Sequence, residues 1–202
     1  PETEFWVEHA ITEIQTSMSR RDLDIEDPFR VLDLCAGSGC IGIAVAKQVR
    51  DAHVDFAEID TRHHLTILKN LAENHISLER TKIFGGDLFE KITDRYDYIL
   101  TNPPYIDPEL RERIGEGVLE HEPHTALFGG VGGTECIERI ITESPNYLTP
   151  HGILYIEHEP EQIEAIHTLA QSAGFTDIES FPDQYGIVRT TRLARMIPSM
   201  AQ

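Results

Sequence analysis

The sequence predicts an α/β protein built on a doubly wound, mostly parallel sheet. Short apolar runs alternate along the chain with longer segments of helical periodicity, the pattern of parallel strands covered by helices on both faces. The last two strand-like segments are joined only by a short turn near residues 183–186, so we also expect an antiparallel edge. With 202 residues, 40% of them hydrophobic, the chain is long enough for one substantial core. We therefore expect a single domain over residues 1–202.

Each element is predicted from its own local pattern. Apolar residues at helical spacing predict helices over residues 2–17, 41–49, 62–74, 134–147 and 161–173. In the third helix we expect Leu65, Leu68 and Leu71 to share the buried side. Apolar runs predict strands over residues 31–35, 54–60, 82–87, 96–101, 152–157, 175–181 and 187–195. Residues 106–132 are rich in acid and glycine, and are expected to form a long functional loop.

Composition narrows the classes of partner and the cellular compartment. The net charge of −18 opposes broad contact with a phosphate backbone and fits a basic protein partner better, although solubility alone explains it equally well. No apolar run is long enough to span a bilayer, so we expect no membrane association. The three cysteines lack C-x-x-C spacing, which favours a reducing, cytoplasmic location, or an organelle if the source is eukaryotic.

A glycine turn follows the first predicted strand. The segment is Asp33-Leu34-Cys35-Ala36-Gly37-Ser38-Gly39, and the glycines would let backbone approach a ligand. Gly42 completes a dinucleotide-type spacing, so an NAD-type site has to be considered. Asp33 would repel a pyrophosphate, however, and suits a ligand that carries an ammonium group or hydroxyls. S-adenosylmethionine has both, together with a sulfonium cation.

Two further strand ends carry acids. Asp60 is placed to accept hydrogen bonds from ribose hydroxyls, because it follows the glycine turn by roughly 20 residues. Asp87 could accept from an adenine amino group, and Leu88 could cover the ring. A solvated acid or a helix cap explains each residue equally well when it is taken alone. Together with the glycine turn they predict a nucleoside site.

The segment Asn102-Pro103-Pro104-Tyr105 ends the fourth predicted strand. Proline lacks the ladder N–H, so the strand stops at Asn102 and a rigid, exposed turn is expected. A planar –NH2 group could be bound at this strand end, because an amide side chain and free carbonyls can accept its hydrogens and a ring can cover its face. His121 and His124 lie near acids, but a further spaced ligand set is missing and no metal site is predicted.

Four segments together resemble the HemK/PrmC family of protein-(glutamine-N5) methyltransferases. They are residues 1–4, the glycine turn, residues 102–106 and residues 122–127. The resemblance implies a Rossmann-like class I fold with a seven-stranded sheet and an antiparallel edge strand. It also implies S-adenosyl-L-methionine as cofactor, and as substrate the glutamine in the Gly-Gly-Gln motif of peptide-chain release factors. Residues 102–105 alone are shared with adenine-N6 DNA methyltransferases and some RNA methyltransferases.

The resemblance also assigns roles to residues. It implies cofactor contacts at Cys35, Ala36, Gly37, Ser38 and Gly39, and at Asp60, Leu88 and Asn102, to which the residue pattern adds Asp87. It implies that Asn102, Pro103, Pro104 and Tyr105 bind the substrate amide, and we assign catalysis to Asn102, Pro103 and Tyr105. Cys35 departs from the family, which has glycine there. The family's N-terminal helical domain is absent from the chain, so a catalytic domain is expected.

The mechanistic hypothesis is direct displacement. The Asn102 side-chain oxygen and the Pro103 carbonyl would each accept one hydrogen of the glutamine –NH2 group, and Tyr105 would pack on the amide. Three alternatives stay open: methylation of a ribosomal-protein glutamine, an adenine-N6 DNA or RNA methyltransferase, and a cofactor-binding domain without catalysis. The acidic composition argues against nucleic acid as the direct substrate.

Overall fold

The computed structural model describes residues 2–21, 27–106 and 130–195, which form a seven-stranded sheet and its covering helices. The strands are β1 (Arg30–Leu34), β2 (His53–Glu58), β3 (Ile83–Gly85), β4 (Tyr96–Thr101), β5 (Leu148–Glu157), β6 (Asp177–Pro182) and β7 (Val188–Ala194). The helices are α1 (Glu2–Arg20), α2 (Cys40–Gln48), α3 (Thr61–Glu73), α4 (Glu135–Glu143) and α5 (Ile163–Ser172). The predicted α/β architecture is confirmed.

The sheet has the order β3-β2-β1-β4-β5-β7-β6. The first five strands in that order pair in parallel. Strand β7 pairs antiparallel with β5 on one side and with the edge strand β6 on the other. The short turn between β6 and β7 brings the chain straight back along the sheet, as predicted. Strand β7 lies between β5 and the edge strand β6. The short turn alone does not specify this order.

The two faces of the sheet bury separate hydrophobic clusters. Consecutive strand residues alternate between them, as for Val31 and Leu32, because successive side chains in a strand point to opposite faces. Helices α1, α2 and α3 cover the first cluster, and α4 and α5 cover the second. Within the described part of the chain, no helix combines the length and apolarity needed to cross a bilayer.

The predicted buried face of α3 was wrong. Ile67 and Leu71 are fully buried, whereas Leu65 is 74% exposed and Leu68 is 40% exposed. Residues six apart in an α-helix are separated by about 600° of rotation, so Leu65 and Leu71 cannot share a side. Ile67 and Leu71, four apart, do share one.

Two predicted strand ends also differ from the structure. Strand β2 ends at Glu58, and Asp60 is the N-cap of α3, where its carboxylate accepts from the Arg62 backbone N–H at 3.0 Å. Strand β3 ends at Gly85, so Asp87 and Leu88 lie in the turn beyond it. In both places a polar residue with turn or capping propensity stops the ladder earlier than the apolar run suggested. Residues 107–129, with most of the predicted long loop and with His121 and His124, lie outside the described residues.

Candidate active site

A cavity of ≈ 720 Å³ opens at the carboxyl ends of the parallel strands. Strands β1 and β4 are neighbours at the centre of the sheet, and the strand order runs in opposite directions on either side of them. This is the switch point at which open α/β sheets bind ligands. Helix α1 forms one wall through Thr3, Val7 and Ile11. The sequence predicted the amphipathic helix but not its position against the cavity.

The glycine turn forms the floor of the cavity. Cys35, Gly37 and Gly39 all have left-handed backbone, with φ values of 60°, 53° and 80°. Cys35, Ala36, Gly37 and Ser38 line the cavity, whereas Gly39 is the N-cap of α2 and faces the core. A Cβ atom on Gly42 would come within 2.4 Å of the Phe56 ring, so this glycine serves close packing of α2 on the sheet.

Glu58 is the acid that contacts the glycine turn. It ends β2 and is only 8% exposed. One carboxylate oxygen accepts from the Gly37 N–H at 2.7 Å, and the other accepts from the Asp60 N–H at 2.9 Å. Each oxygen keeps a second acceptor site for a ligand. Glu58 was not predicted as a site residue, although its place at the end of an apolar run was a signal that could have found it.

The acids predicted to bind the nucleoside lie around the rim. Asp60 lines the cavity, but its carboxylate is paired with the Arg62 guanidinium, which holds the pKa of that carboxyl below its usual range. Asp87 also lines the cavity, and its carboxylate lies 3.0 Å from Arg139. Leu88 contributes a nearly buried apolar surface. The proposed contacts of these three residues with a cofactor stay predictions.

Asn102 lies directly after β4 and lines the cavity. Its Nδ2 donates to the Thr3 hydroxyl at 3.3 Å, which ties the turn to α1. Pro104 lines the cavity as well, but Pro103 is buried and the other residues of the turn are half-buried. The turn was predicted to be exposed, and this was wrong, because α1 packs over the strand end.

Tyr105 is held behind this turn. Its hydroxyl donates to Glu157 at 3.3 Å, and its backbone carbonyl accepts from Gln162 Nε2 at 2.8 Å. Burial raises the pKa of the Tyr105 hydroxyl well above its usual range, so this group stays a hydrogen-bond donor. The cavity lining includes Asn102 and Pro104 but neither Pro103 nor Tyr105. Packing of the Tyr105 ring on a substrate amide stays a prediction.

All three cysteines of the chain lie at this cavity. Interaction with the Cys136 thiol, together with burial, raises the pKa of the Cys35 thiol. Cys136 is half-buried at the cavity wall and packs against the second cluster. Among the described residues, no group of three or more His, Cys, Asp or Glu side chains is arranged to hold a metal ion.

The cavity is strongly acidic. Among the described residues that line it, five are acids and none is Lys or Arg; the acids are Glu4, Glu8, Glu58, Asp60 and Asp87. Asp60 and Asp87 are each paired with an arginine, but neither arginine lines the cavity, so the lining favours a ligand with positive charge over a pyrophosphate. This charge distribution argues against an NAD-type site at the glycine turn.

The chain is similar in sequence to two groups of glutamine methyltransferases. It is 38% identical over 160 residues to the release factor glutamine methyltransferase of Geobacter sulfurreducens, covering 79% of this chain and 55% of that protein. It is 40% identical over 129 residues to the ribosomal protein uL3 glutamine methyltransferase of Bradyrhizobium diazoefficiens, covering 63% of this chain and 40% of that protein. The chain therefore spans about half the length of these relatives. The family resemblance predicted from the motifs is confirmed.

Solved structures confirm the fold. The N-terminal domain of human METTL16 in complex with SAH superposes with a TM-score of 0.64 at 16% identity, covering 95% of this chain and 70% of that chain. Residues 16–125, more than half of the chain, match the family model of the methyltransferase small domain. The chain belongs to the methyltransferase small domain family.

Proposed function

We propose that this chain is the catalytic domain of an S-adenosyl-L-methionine-dependent enzyme that methylates a protein glutamine at N5. The substrate is the glutamine of the Gly-Gly-Gln motif in a peptide-chain release factor, and the site of action is the cytoplasm. The observation that carries the proposal is Asn102 at the end of β4, on the wall of an acidic cavity at the switch point of the sheet. The names of the release factor relatives support the substrate.

The cavity's chemistry fits the cofactor. Its carboxylates match the ammonium and sulfonium charges, and its volume falls in the range of small-molecule sites. Residues 35–38 would hold the methionine part, Glu58 and Asp60 the ribose, and Asp87 and Leu88 the adenine. The bound cofactor supplies an electrophilic methyl group on a sulfonium centre.

Asn102 has the main role in the proposed reaction. A glutamine nitrogen is a poor nucleophile because its lone pair is delocalised into the carbonyl. Acceptance of its two hydrogens by Asn102 Oδ1 and by the Pro103 carbonyl favours a pyramidal nitrogen and aims the lone pair at the methyl carbon. The C–S bond breaks as the N–C bond forms, and the nitrogen loses one proton to water. Such positioning can supply about 7–11 kcal/mol in favourable cases.

Methyl transfer from radiolabelled cofactor tests the proposal. We expect label in a recombinant release factor, and none in the same factor with Gln→Ala in Gly-Gly-Gln or in a DNA duplex. Absence of label from all protein substrates, or label in DNA, would refute the proposed function. Tandem mass spectrometry of the labelled peptide locates the methyl group on the glutamine side chain.

Ribosomal protein uL3 is the second candidate substrate. The observation that favours it is the 40% identity to a uL3 glutamine methyltransferase. Both candidates carry a glutamine carboxamide, so the site described above serves either one. Competition between recombinant uL3 and a release factor in one reaction, read as kcat/KM for each, distinguishes them.

A further inference from the structure

A chain of hydrogen bonds leads to Asn102 from a buried carboxylate on the face of the sheet that α1 covers. The chain of hydrogen bonds starts at Glu157, the last residue of β5, which is 3% exposed and does not line the cavity. One oxygen of Glu157, Oε2, accepts from Trp6 Nε1 at 2.7 Å and from the Thr3 hydroxyl at 2.8 Å. Thr3 in turn meets Asn102 Nδ2 at 3.3 Å.

The direction of each hydrogen bond in this chain follows from counting protons. The indole N–H of Trp6 can only donate, so the atom that faces it has to be an acceptor. With the Glu157 carboxylate ionised, the same oxygen receives the single proton of the Thr3 hydroxyl. Thr3 Oγ1 has only lone pairs left for its other neighbour, Asn102. The end of the Asn102 amide that faces Thr3 must then be the –NH2 group.

This arrangement leaves Asn102 Oδ1 as the free end of the amide. Among the residues that the structure describes, none donates a hydrogen bond to Oδ1 of Asn102, which is half-buried on the cavity wall. The opposite amide orientation would present two N–H donors to a substrate –NH2 group, and neither side could accept. The Asn102 side chain can therefore accept from the substrate only when the hydrogen bond to Thr3 holds its –NH2 group on the opposite side.

We infer that Glu157 and Thr3 are positioning residues that fix the Asn102 amide with its –NH2 group toward α1 and its oxygen toward the substrate nitrogen. Trp6 sets the direction of the hydrogen bonds, because its indole N–H can only donate to Glu157. The inference rests on the proposed function for its catalytic meaning, but the amide orientation itself is a property of the free protein. Residues 3 and 102 lie 99 positions apart in sequence, so tertiary packing alone creates the contact.

The experiment compares Thr3→Val with Thr3→Ser. Valine keeps the shape of threonine and removes the hydroxyl, whereas serine keeps the hydroxyl and removes the methyl group. Loss of one neutral hydrogen bond predicts a fall in kcat of about tenfold for Thr3→Val. We expect the affinity for S-adenosylhomocysteine to change little, and Thr3→Ser to restore most of kcat. A role in folding alone would lower stability in both variants without this selective loss of kcat.

Glu157→Gln provides a second arm. A glutamine can keep its carbonyl oxygen toward Trp6 and Thr3 and turn its –NH2 group toward the Tyr105 hydroxyl, which can accept. We therefore expect the polarity of the chain, and most of kcat, to survive this substitution. A loss of kcat in Glu157→Gln equal to that in Thr3→Val would contradict the proton count.

A readout without turnover separates this inference from the proposed function. The side-chain amide protons of Asn102 are followed by NMR in the free protein, with the Asn70 amide, which donates to the Ser38 carbonyl at 3.0 Å, as internal reference. We expect Thr3→Val to shift the Asn102 amide protons and to speed their exchange with water, and Thr3→Ser to leave them near their original positions. Unchanged Asn102 amide protons in Thr3→Val would overturn the inference, whether or not the wild-type chain methylates glutamine.

Discussion

Asp33 makes the stability of this protein depend on pH in an unusual direction. The side chain is fully buried at the end of β1, where Oδ2 accepts from the Gly42 N–H at 2.7 Å and Oδ1 has no hydrogen-bond partner. Burial is the largest cause that raises the pKa of Asp33, to about 8 from an ordinary value of 3.8. Between these two values the folded protein holds a proton that the unfolded chain has released.

The sign and size of the effect follow from this difference in bound protons. The neutral carboxyl contributes its full stability below the unfolded pKa, and the contribution is lost as pH rises through the folded pKa. Each pH unit within this window lowers the free energy of unfolding by about 1.4 kcal/mol. Between pH 5 and pH 7 the loss amounts to about 2.7 kcal/mol.

Asp33→Asn tests the reasoning. Asparagine keeps an acceptor for the Gly42 N–H but does not titrate, so the decline that Asp33 causes should disappear. We expect urea unfolding at pH 5, 6 and 7 to show that the free energy of unfolding of the variant, relative to that of the wild type, rises by about 1.4 kcal/mol per pH unit. Asp51→Asn, the same change on an exposed turn residue, controls for the loss of one surface carboxylate. Parallel pH profiles for wild type and Asp33→Asn would show that the buried carboxyl is not the source.

Three further substitutions test the site. Asn102→Ala should lower kcat by about 100-fold, because the substrate nitrogen is misplaced, and should change the affinity for S-adenosylhomocysteine by no more than a few-fold. Equal losses in kcat and in calorimetric affinity would reassign Asn102 to cofactor binding. Glu58→Gln should weaken S-adenosylhomocysteine binding by about tenfold or more, because hydrogen bonds to a charged acceptor are lost, and unchanged calorimetric affinity would exclude Glu58 from the ribose site. In urea unfolding, the free energy of unfolding of Cys35→Gly should exceed that of Cys35→Ala by about 1 kcal/mol, because only glycine adopts φ 60° without strain. The reverse order would mean that the turn relaxes.

Local pattern predicted much of the fold. The strand over residues 96–101 has the predicted bounds, and the apolar runs that became β1 and β5 were located to within a few residues. Periodicity and composition are local properties, and they report burial wherever one side of an element meets the core. The same local reading failed at Asp60 and Asp87, where capping and turn geometry ended the strands early.

The candidate site was predicted in part for a related reason. In a parallel sheet every strand presents its carboxyl end at the same edge, so residues that follow apolar runs converge without any knowledge of strand order. Cys35, Gly37, Asp87, Leu88 and Asn102 do line one cavity. The sequence therefore determined that an amide, a glycine turn and several acids would gather at one edge.

Tertiary structure alone decided which groups face each other at that edge. It selected Glu58 as the partner of the Gly37 N–H, and it packed α1 so that Thr3 and Trp6 meet Glu157 behind Asn102. These contacts join residues as far as 154 positions apart, and no periodicity encodes such a distance. Side-chain burial is set by short repeats in the chain, whereas the direction of a buried hydrogen bond is set by whichever donor or acceptor the fold brings opposite.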